Sequence, residues 1–482
     1  MVETFNDVYN ANERLRSDIR AAADPKNTDA EIWIGMWSWS DDFLLVETNR
    51  TLLSEIKSAL EKNPNLKVYV LLWAMPPGTK LIVNLGWLPF KEGQALKDWP
   101  ESMKSRFQLA SQSLLLTHPL SSAHQKFILF RYGGESVGYC LDYNFDNFHF
   151  DWPDHDVLRR AQLGLKVPPV HDTAMRFKGP VIADFQHEFL ERWALSNKPK
   201  EGPGAGETFP IQQIPADNPH LVANFQRPGT KGGDIKDWYV NAIRNAKNYI
   251  YLESQYFDNN EIADELIDAY YRGLKDPAPN IVFTLCSTKT VEPKSQVDGS
   301  LREVMRVRLS TADEIELMSG RKIKRSAPWG KVVVSKHATK CELEGNGAHY
   351  KIKFRNIKKI NGGVRFVTMV THSDTAKNNF QPIYVHSKVG LIDDQMTIGS
   401  ANQNKRSFGE DYEANVMLTD IPSTHVVETF KQRLLGSAID PKISGTTLLQ
   451  KIDATARKNW ERRHAGPPAP PVGLVIDYPY RK

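Results

Sequence analysis

A histidine and a lysine two residues apart occur twice beside apolar, strand-like runs, at His124/Lys126 and at His386/Lys388, and this duplication limits what the chain can fold into. At the second site, residues 383–385 and 389–392 read as buried strand on either side of a bend. On a strand, positions i and i+2 project to one face, which would set each imidazole beside its ammonium. Asp393 follows Lys388, and then comes the run Gly399-Ser400-Ala401-Asn402. The lysine supplies charge, the hydroxyl and amide supply donors, and the imidazole can attack phosphorus or move a proton. The combination reads as a phosphate site.

The order of elements repeats around the two pairs. Residues 31–39 (EIWIGMWSW) read as a strand, and residues 51–62 place Leu52, Leu53, Ile56 and Leu60 at helical spacing. Residues 66–73 (LKVYVLLW) form a near-continuous apolar run, as in a strand buried on both faces. In the second half, residues 235–246 predict a helix, 249–257 (YIYLESQYF) a strand, 261–274 a helix and 280–286 (NIVFTLC) a strand. Strand, helix, strand and His-x-Lys strand therefore occur twice. Residues 196–219 are rich in Gly, Pro, Lys and Glu and read as a linker. The expected domains are residues 1–200, residues 220–440 with a basic insertion at about 287–381, and residues 441–482, a helix and a Pro-rich tail. Within the insertion, 301–310 reads as helix, while 321–325 and 351–359 are basic enough for an electropositive rim.

At 482 residues two domains are expected, and a net charge of +5 suits phosphate substrates without being that of a nucleic-acid coat. No run approaches the roughly 18 apolar residues of a membrane span, and residues 1–20 carry no apolar signal core. Cys140, Cys286 and Cys341 are scattered and read as free thiols.

The stretch from His386 to Asn402 resembles the His-x-Lys-x4-Asp signature of the phospholipase D superfamily with its trailing Gly-Ser-x-Asn. Residues 170–180 (VHDTAMRFKGP) and 185–193 (FQHEFLERW) are similar to the family's His-Asp…Gly-Pro and Phe-x-x-Arg-Trp stretch, and residues 252–257 to its Ile-Glu-x-Gln-Tyr-Phe strand. The first half departs from the pattern. Arg131 stands where the motif's aspartate belongs, and residues 137–144 lack the second glycine of the family's Gly-Gly segment.

The resemblance implies an α/β fold of two pseudo-symmetric α/β/α sandwich lobes, each giving one His-Lys strand to an active site at their interface. It implies catalytic residues His124, Lys126, Asp172, His386, Lys388 and Glu413, with Asp172 and Glu413 orienting the histidines. His124 is expected as nucleophile and His386 as general acid. Lys126, Lys388 and Asn402, with Asp142 or Asn144, would hold the phosphate oxygens, and Asp393 and Ser400 would support them. Paired lysines can replace a metal ion, so neither metal nor cofactor is expected. The activity implied is that of a phospholipase D, releasing phosphatidic acid and a head-group alcohol through a phosphohistidine. A phosphodiesterase acting on nucleic acid and a non-catalytic lipid-binding homologue are the alternatives. Trp37, Trp39, Trp73, Trp87, Tyr256 and Phe257 could contact glycerol and acyl chains or simply form core. The expected partner is phospholipid at a membrane surface rather than nucleic acid. The chain is expected to be a monomer, cytoplasmic or exported, with peripheral membrane contact.

Overall fold

The computed structural model describes residues 2–46, 50–73, 96–112, 121–165, 167–196, 202–203, 208–212, 218–229, 233–257, 259, 261–262, 265–266, 269, 281–285, 314–316, 322–324, 331–334, 340–345, 348–353, 364–443, 445 and 447–477. The expected helix at 301–310, Trp87, Cys286 and the basic residues 321, 325 and 354–359 lie outside them. The chain divides into two compact units. One holds residues 1–235, 397–401 and 406–430; the other holds 236–396, 402–405 and 431–482. The sequence puts a boundary near 200–220, but strand His220–Gln226 runs antiparallel to Glu413–Thr419 inside the first unit.

The first unit is built on a seven-stranded sheet. Its order is Val2–Phe5, Ala174–Phe177, Glu135–Leu141, Phe127–Tyr132, Glu31–Met36, Lys67–Trp73 and Phe107–Gln112. The last three run parallel to one another and the rest antiparallel. Strand Lys67–Trp73 is an interior strand, flanked by Glu31–Met36 and Phe107–Gln112, and its unbroken apolar run follows from both of its faces being covered. On one face, Ile32, Ile34, Val68 and Val70 share a core with Leu15 and Ile19 of helix Val8–Ala22 and Ile56 and Leu60 of helix Leu52–Lys62. Asp7 and Thr51 cap those helices by accepting from the Asn10 and Ser54 amides. On the other face, Phe185 and Phe189 of helix Val181–Ala194 pack edge-on against Phe127.

In the second unit, strand Ile250–Ser254 lies between Ile281–Leu285, parallel, and Val389–Ile392, antiparallel. Val364–His372 continues the sheet parallel to Ile281–Leu285. The same relation holds in the first unit, where Glu31–Met36 lies between Lys67–Trp73 and Phe127–Tyr132, and Phe107–Gln112 continues the sheet. The repeat expected from element order is thus a repeat of topology. The insertion contributes a hairpin, Glu314–Glu316 with Lys322–Lys324, and a meander of Lys331–Val334, Lys340–Gly345 and Ala348–Lys353. The Pro-rich tail is not a free appendage. Asn459 of helix Leu448–His464 donates to the Val472 and Val475 carbonyls, and strand Val475–Asp477 pairs with Val364–His372. Among the described residues, no helix is long and apolar enough to cross a membrane.

The repeat also explains Arg131. Asp393, just past strand Val389–Ile392, accepts from the backbone amides of Lys247, Asn248 and Tyr249, which lead into the neighbouring strand. In the first unit the same job falls to a cation. Arg131 lies in register with Glu31, pairs with its carboxylate at 2.9 Å and donates to the Asp29 carbonyl. Both residues lock the end of the motif strand to the start of its neighbour, with opposite charge.

Candidate active site

His124 and His386 do not sit within strands. Each lies in the irregular stretch just before one, and that bend frees the ring from the sheet ladder. In the first unit, the His124 Nδ1 is 3.0 Å from both carboxylate oxygens of Glu413, which is fully buried. A carboxylate there keeps the proton on Nδ1 and leaves the Nε2 lone pair to react. Glu413 is held in turn by the Ser400 hydroxyl, which donates to it. A Cβ at Gly399 would lie 2.3 Å from the Ala414 carbonyl, so glycine lets strand Glu413–Thr419 approach closely enough for this contact.

The segment carrying His124 is clamped from the same side. The His124 amide donates to the Tyr412 carbonyl, and the Tyr412 amide donates to the Ser122 carbonyl, each at 2.9 Å. The Ser122 amide donates at 2.6 Å to Asp411, whose carboxylate takes two further bonds from Arg406. Burial pushes the Asp411 carboxyl above its ordinary range, and Arg406 offsets part of that rise.

The two lysines behave alike. The Lys126 ammonium turns back to the His124 carbonyl at 2.7 Å, and the Lys388 ammonium turns back to the His386 carbonyl. Both side chains are fully buried. A buried ammonium is costly unless its donors are used. An ammonium has three donors, and one of them goes to the backbone in each unit. In the second unit, the His386 ring stacks on Tyr384 at 6.1 Å. In the first, the edge of Trp37 meets His124 at 5.8 Å, and Trp37 stacks on Trp73 at 5.6 Å. These two indoles are half-buried beside a reactive group, unlike Trp39 and Phe257, which are core. Asn402 is buried in the second unit, in the turn where its carbonyl accepts from the Asn404 amide.

Asp172 has a histidine partner outside the two His-x-Lys pairs. It accepts from Nδ1 of His149 at 2.8 Å, and both residues are buried. His149 went unread in the sequence, because nothing in its setting (NFDNFHFDW) sets it apart from an ordinary aromatic loop. Asp142 is a correction. It accepts from both the amide and the hydroxyl of Thr173, so its oxygens serve the fold rather than a phosphate. Asn144 is placed differently, with Nδ2 3.5 Å from the His149 ring. Nearby Asp146 is pushed up to about 6 by burial, despite His149 3.6 Å away. A carboxyl raised in the folded state loses stability as pH climbs from its ordinary value toward the raised one, and the loss is complete above it. Ionisation should therefore cost up to about 3 kcal/mol between pH 4 and 7. Asp146→Asn should unfold at higher temperature than the wild type at pH 7.5 and show no gain at pH 4. Parallel melting curves against pH for the two proteins would reject this.

A family model described as cardiolipin synthase, PLD-like domain, matches residues 331–434. Phospholipase D alpha 3 of Arabidopsis thaliana is 26% identical over 320 residues, covering 62% of this chain and 36% of the relative. Phospholipase D alpha 1 of Oryza sativa subsp. japonica is 23% identical over 357 residues, covering 61% and 43%. The chain thus spans less than half the length of these plant enzymes. In fold it is similar to the crystal structure of phosphatidylserine synthase from Haemophilus influenzae, with a TM-score of 0.54 at 12% identity over 90% of this chain and 85% of the other. The repeated strand order, the paired His-x-Lys turns and these relatives agree in their support for the phospholipase D superfamily.

Proposed function

We propose that this chain is a phosphodiesterase of phospholipase D type, acting on the distal phosphodiester of glycerophospholipids. The observation that carries the reading is the carboxylate-backed imidazole of His124, with a buried lysine beside it. The second unit carries the same His-x-Lys turn. Two-step phosphoryl transfer needs one nucleophile and one proton donor, and each turn offers a single imidazole. Both are therefore assigned to one reaction. Nε2 of His124 attacks phosphorus and forms the P–N bond. The bond from phosphorus to the head-group oxygen breaks, and the His386 imidazolium gives its proton to that oxygen. His386, now neutral, takes a proton from water as the water attacks phosphorus and frees His124. Lys126, Lys388 and Asn402 hold the non-bridging oxygens, with Asn144 a further donor in the first unit. Asp172 acts as the second orienting carboxylate. The lysines supply the charge that a metal would, so no cofactor is assigned.

Support for a lipid substrate comes from the plant phospholipases D among its relatives and from the half-buried Trp37–Trp73 pair beside His124. Phosphatidylcholine vesicles should release choline, while a supercoiled plasmid under the same conditions stays intact. Nicked plasmid without choline would turn the assignment to nucleic acid. Because a phosphohistidine partitions between acceptors, adding ethanol should yield phosphatidylethanol at the expense of phosphatidic acid. Hydrolysis alone, at ethanol levels that leave the protein folded, would argue for direct attack by water.

A further inference from the structure

The residue between histidine and lysine is held the same way in both units. In the first, it is Gln125. Its amide nitrogen donates at 2.7 Å to Glu188 and at 3.2 Å to the Glu413 carbonyl, and its oxygen accepts from Arg192. In the second, it is Ser387. Its hydroxyl donates at 2.6 Å to Glu253, whose other oxygen accepts from the Tyr251 hydroxyl. Gln125, Ser387, Glu188, Glu253 and Arg192 are all buried, with none more than 1% exposed. Glu188 is also tied to Arg227 at 2.6 Å. A buried glutamate is an unfavourable tenant of a protein core unless it is fully bonded. Here each unit keeps one and aims it at the same position of the turn.

The geometry follows from the backbone. Successive residues of an extended chain point to opposite sides. If His124 and Lys126 turn one way, Gln125 must turn the other, toward helix Val181–Ala194. An apolar residue there would pack but would not fix the rotation of the turn. A hydrogen bond to an immobile carboxylate fixes it, because the angular tolerance is narrow. We propose that Gln125 and Ser387 are positioning residues, held by Glu188 and Glu253, that set the angle at which each imidazole and lysine meet the phosphate. This gives roles to two stretches the reaction leaves unused: the Phe-x-x-Arg-Trp helix, which supplies Glu188 and Arg192, and the strand Ile250–Ser254, which supplies Glu253.

The proposal rests on the phosphodiesterase reading for its kinetic arm and on spectra for the other. With p-nitrophenyl phosphatidyl diester in mixed vesicles, Ser387→Ala should lower kcat by about tenfold to a hundredfold, with KM changed less than about threefold. Ser387→Thr, which keeps the hydroxyl, should recover most of the loss. Gln125→Glu sets two carboxylates together and should lose activity, as should Glu188→Gln. The double variant Gln125→Glu/Glu188→Gln restores an amide facing a carboxylate and should regain at least half of the loss on a logarithmic scale. The histidine side-chain nitrogen spectra of Ser387→Ala should show a moved or broadened His386 signal, returned by Ser387→Thr. This arm does not depend on turnover. Wild-type kcat and unmoved histidine signals in Ser387→Ala, or a double variant no better than its singles, would overturn the proposal. If instead His124→Ala and His386→Ala turn over normally, the phosphodiesterase reading falls and the spectra alone decide.

Discussion

Glu413→Gln turns over about a thousandfold or more slowly than the wild type, with vesicle binding unchanged. The argument is electrostatic. As His124 works, its ring must fix one tautomer and then carry positive charge. The 3.0 Å contacts from Nδ1 to both Glu413 oxygens do both. A neutral amide keeps the volume and can still accept from Ser400, so the strand stays in place. What is lost is the negative charge, together with the certainty that the ring sees an acceptor at Nδ1. Comparable losses follow when a buried carboxylate behind a catalytic imidazole becomes an amide. Ser400→Ala should be milder, within about a hundredfold, because the carboxylate keeps its charge and loses only one donor. A single-turnover rate for Glu413→Gln within tenfold of wild type, on a protein of unchanged melting temperature, would remove Glu413 from the reaction.

How much of this was legible in the sequence depended on whether the partners were local. The apolar run of Lys67–Trp73 declares a covered strand, because every one of its faces is apolar. The bend at His386 declares itself through strands on both sides. The pairing of the two units' topologies is legible from element order alone, since parallel neighbours need a crossover and the crossover helix is visible. By contrast, Glu413 and His124 stand 289 positions apart, and no periodicity links them. Glu413 was reachable only through likeness to a known motif. His149 had no such help, and only the structure sets it against Asp172. Asp142 misled for a related reason. Its place in the motif suggested a phosphate contact, while its real partner is the Thr173 backbone across the sheet.

The replacement at Arg131 was the feature most open to misreading. An arginine where the pattern has aspartate suggests a decayed first half. The structure gives it a neighbour of opposite sign, Glu31, in register on the adjacent strand. A motif position whose work is to tie two strand ends together tolerates a change from acceptor to donor when the partner offers acceptors in place of donors, as Glu31 and the Asp29 carbonyl do here. Decay would leave a buried charge without an answer, which is costly.

The roles of the two histidines can be separated by a leaving group that needs no proton. On a p-nitrophenyl phosphatidyl diester, the first step releases nitrophenolate as a stable anion, so a general acid contributes little to it. The second step still needs a base to activate water. If His124 is the nucleophile and His386 the acid, His386→Ala gives a burst of about one nitrophenolate per enzyme and then stalls, because hydrolysis of the adduct has lost its base. The phosphatidyl group remains on His124, where acid-labile label in a peptide containing residue 124 would locate it. His124→Ala gives no burst, since nothing is left to form the P–N bond. The sequence is too symmetric to settle this, and the burst decides it. Within the first unit, His124 has the anchored Nδ1 that a nucleophilic Nε2 requires. Burst kinetics from His124→Ala, with label recovered on His386, would reverse the assignment while leaving the two-step chemistry intact.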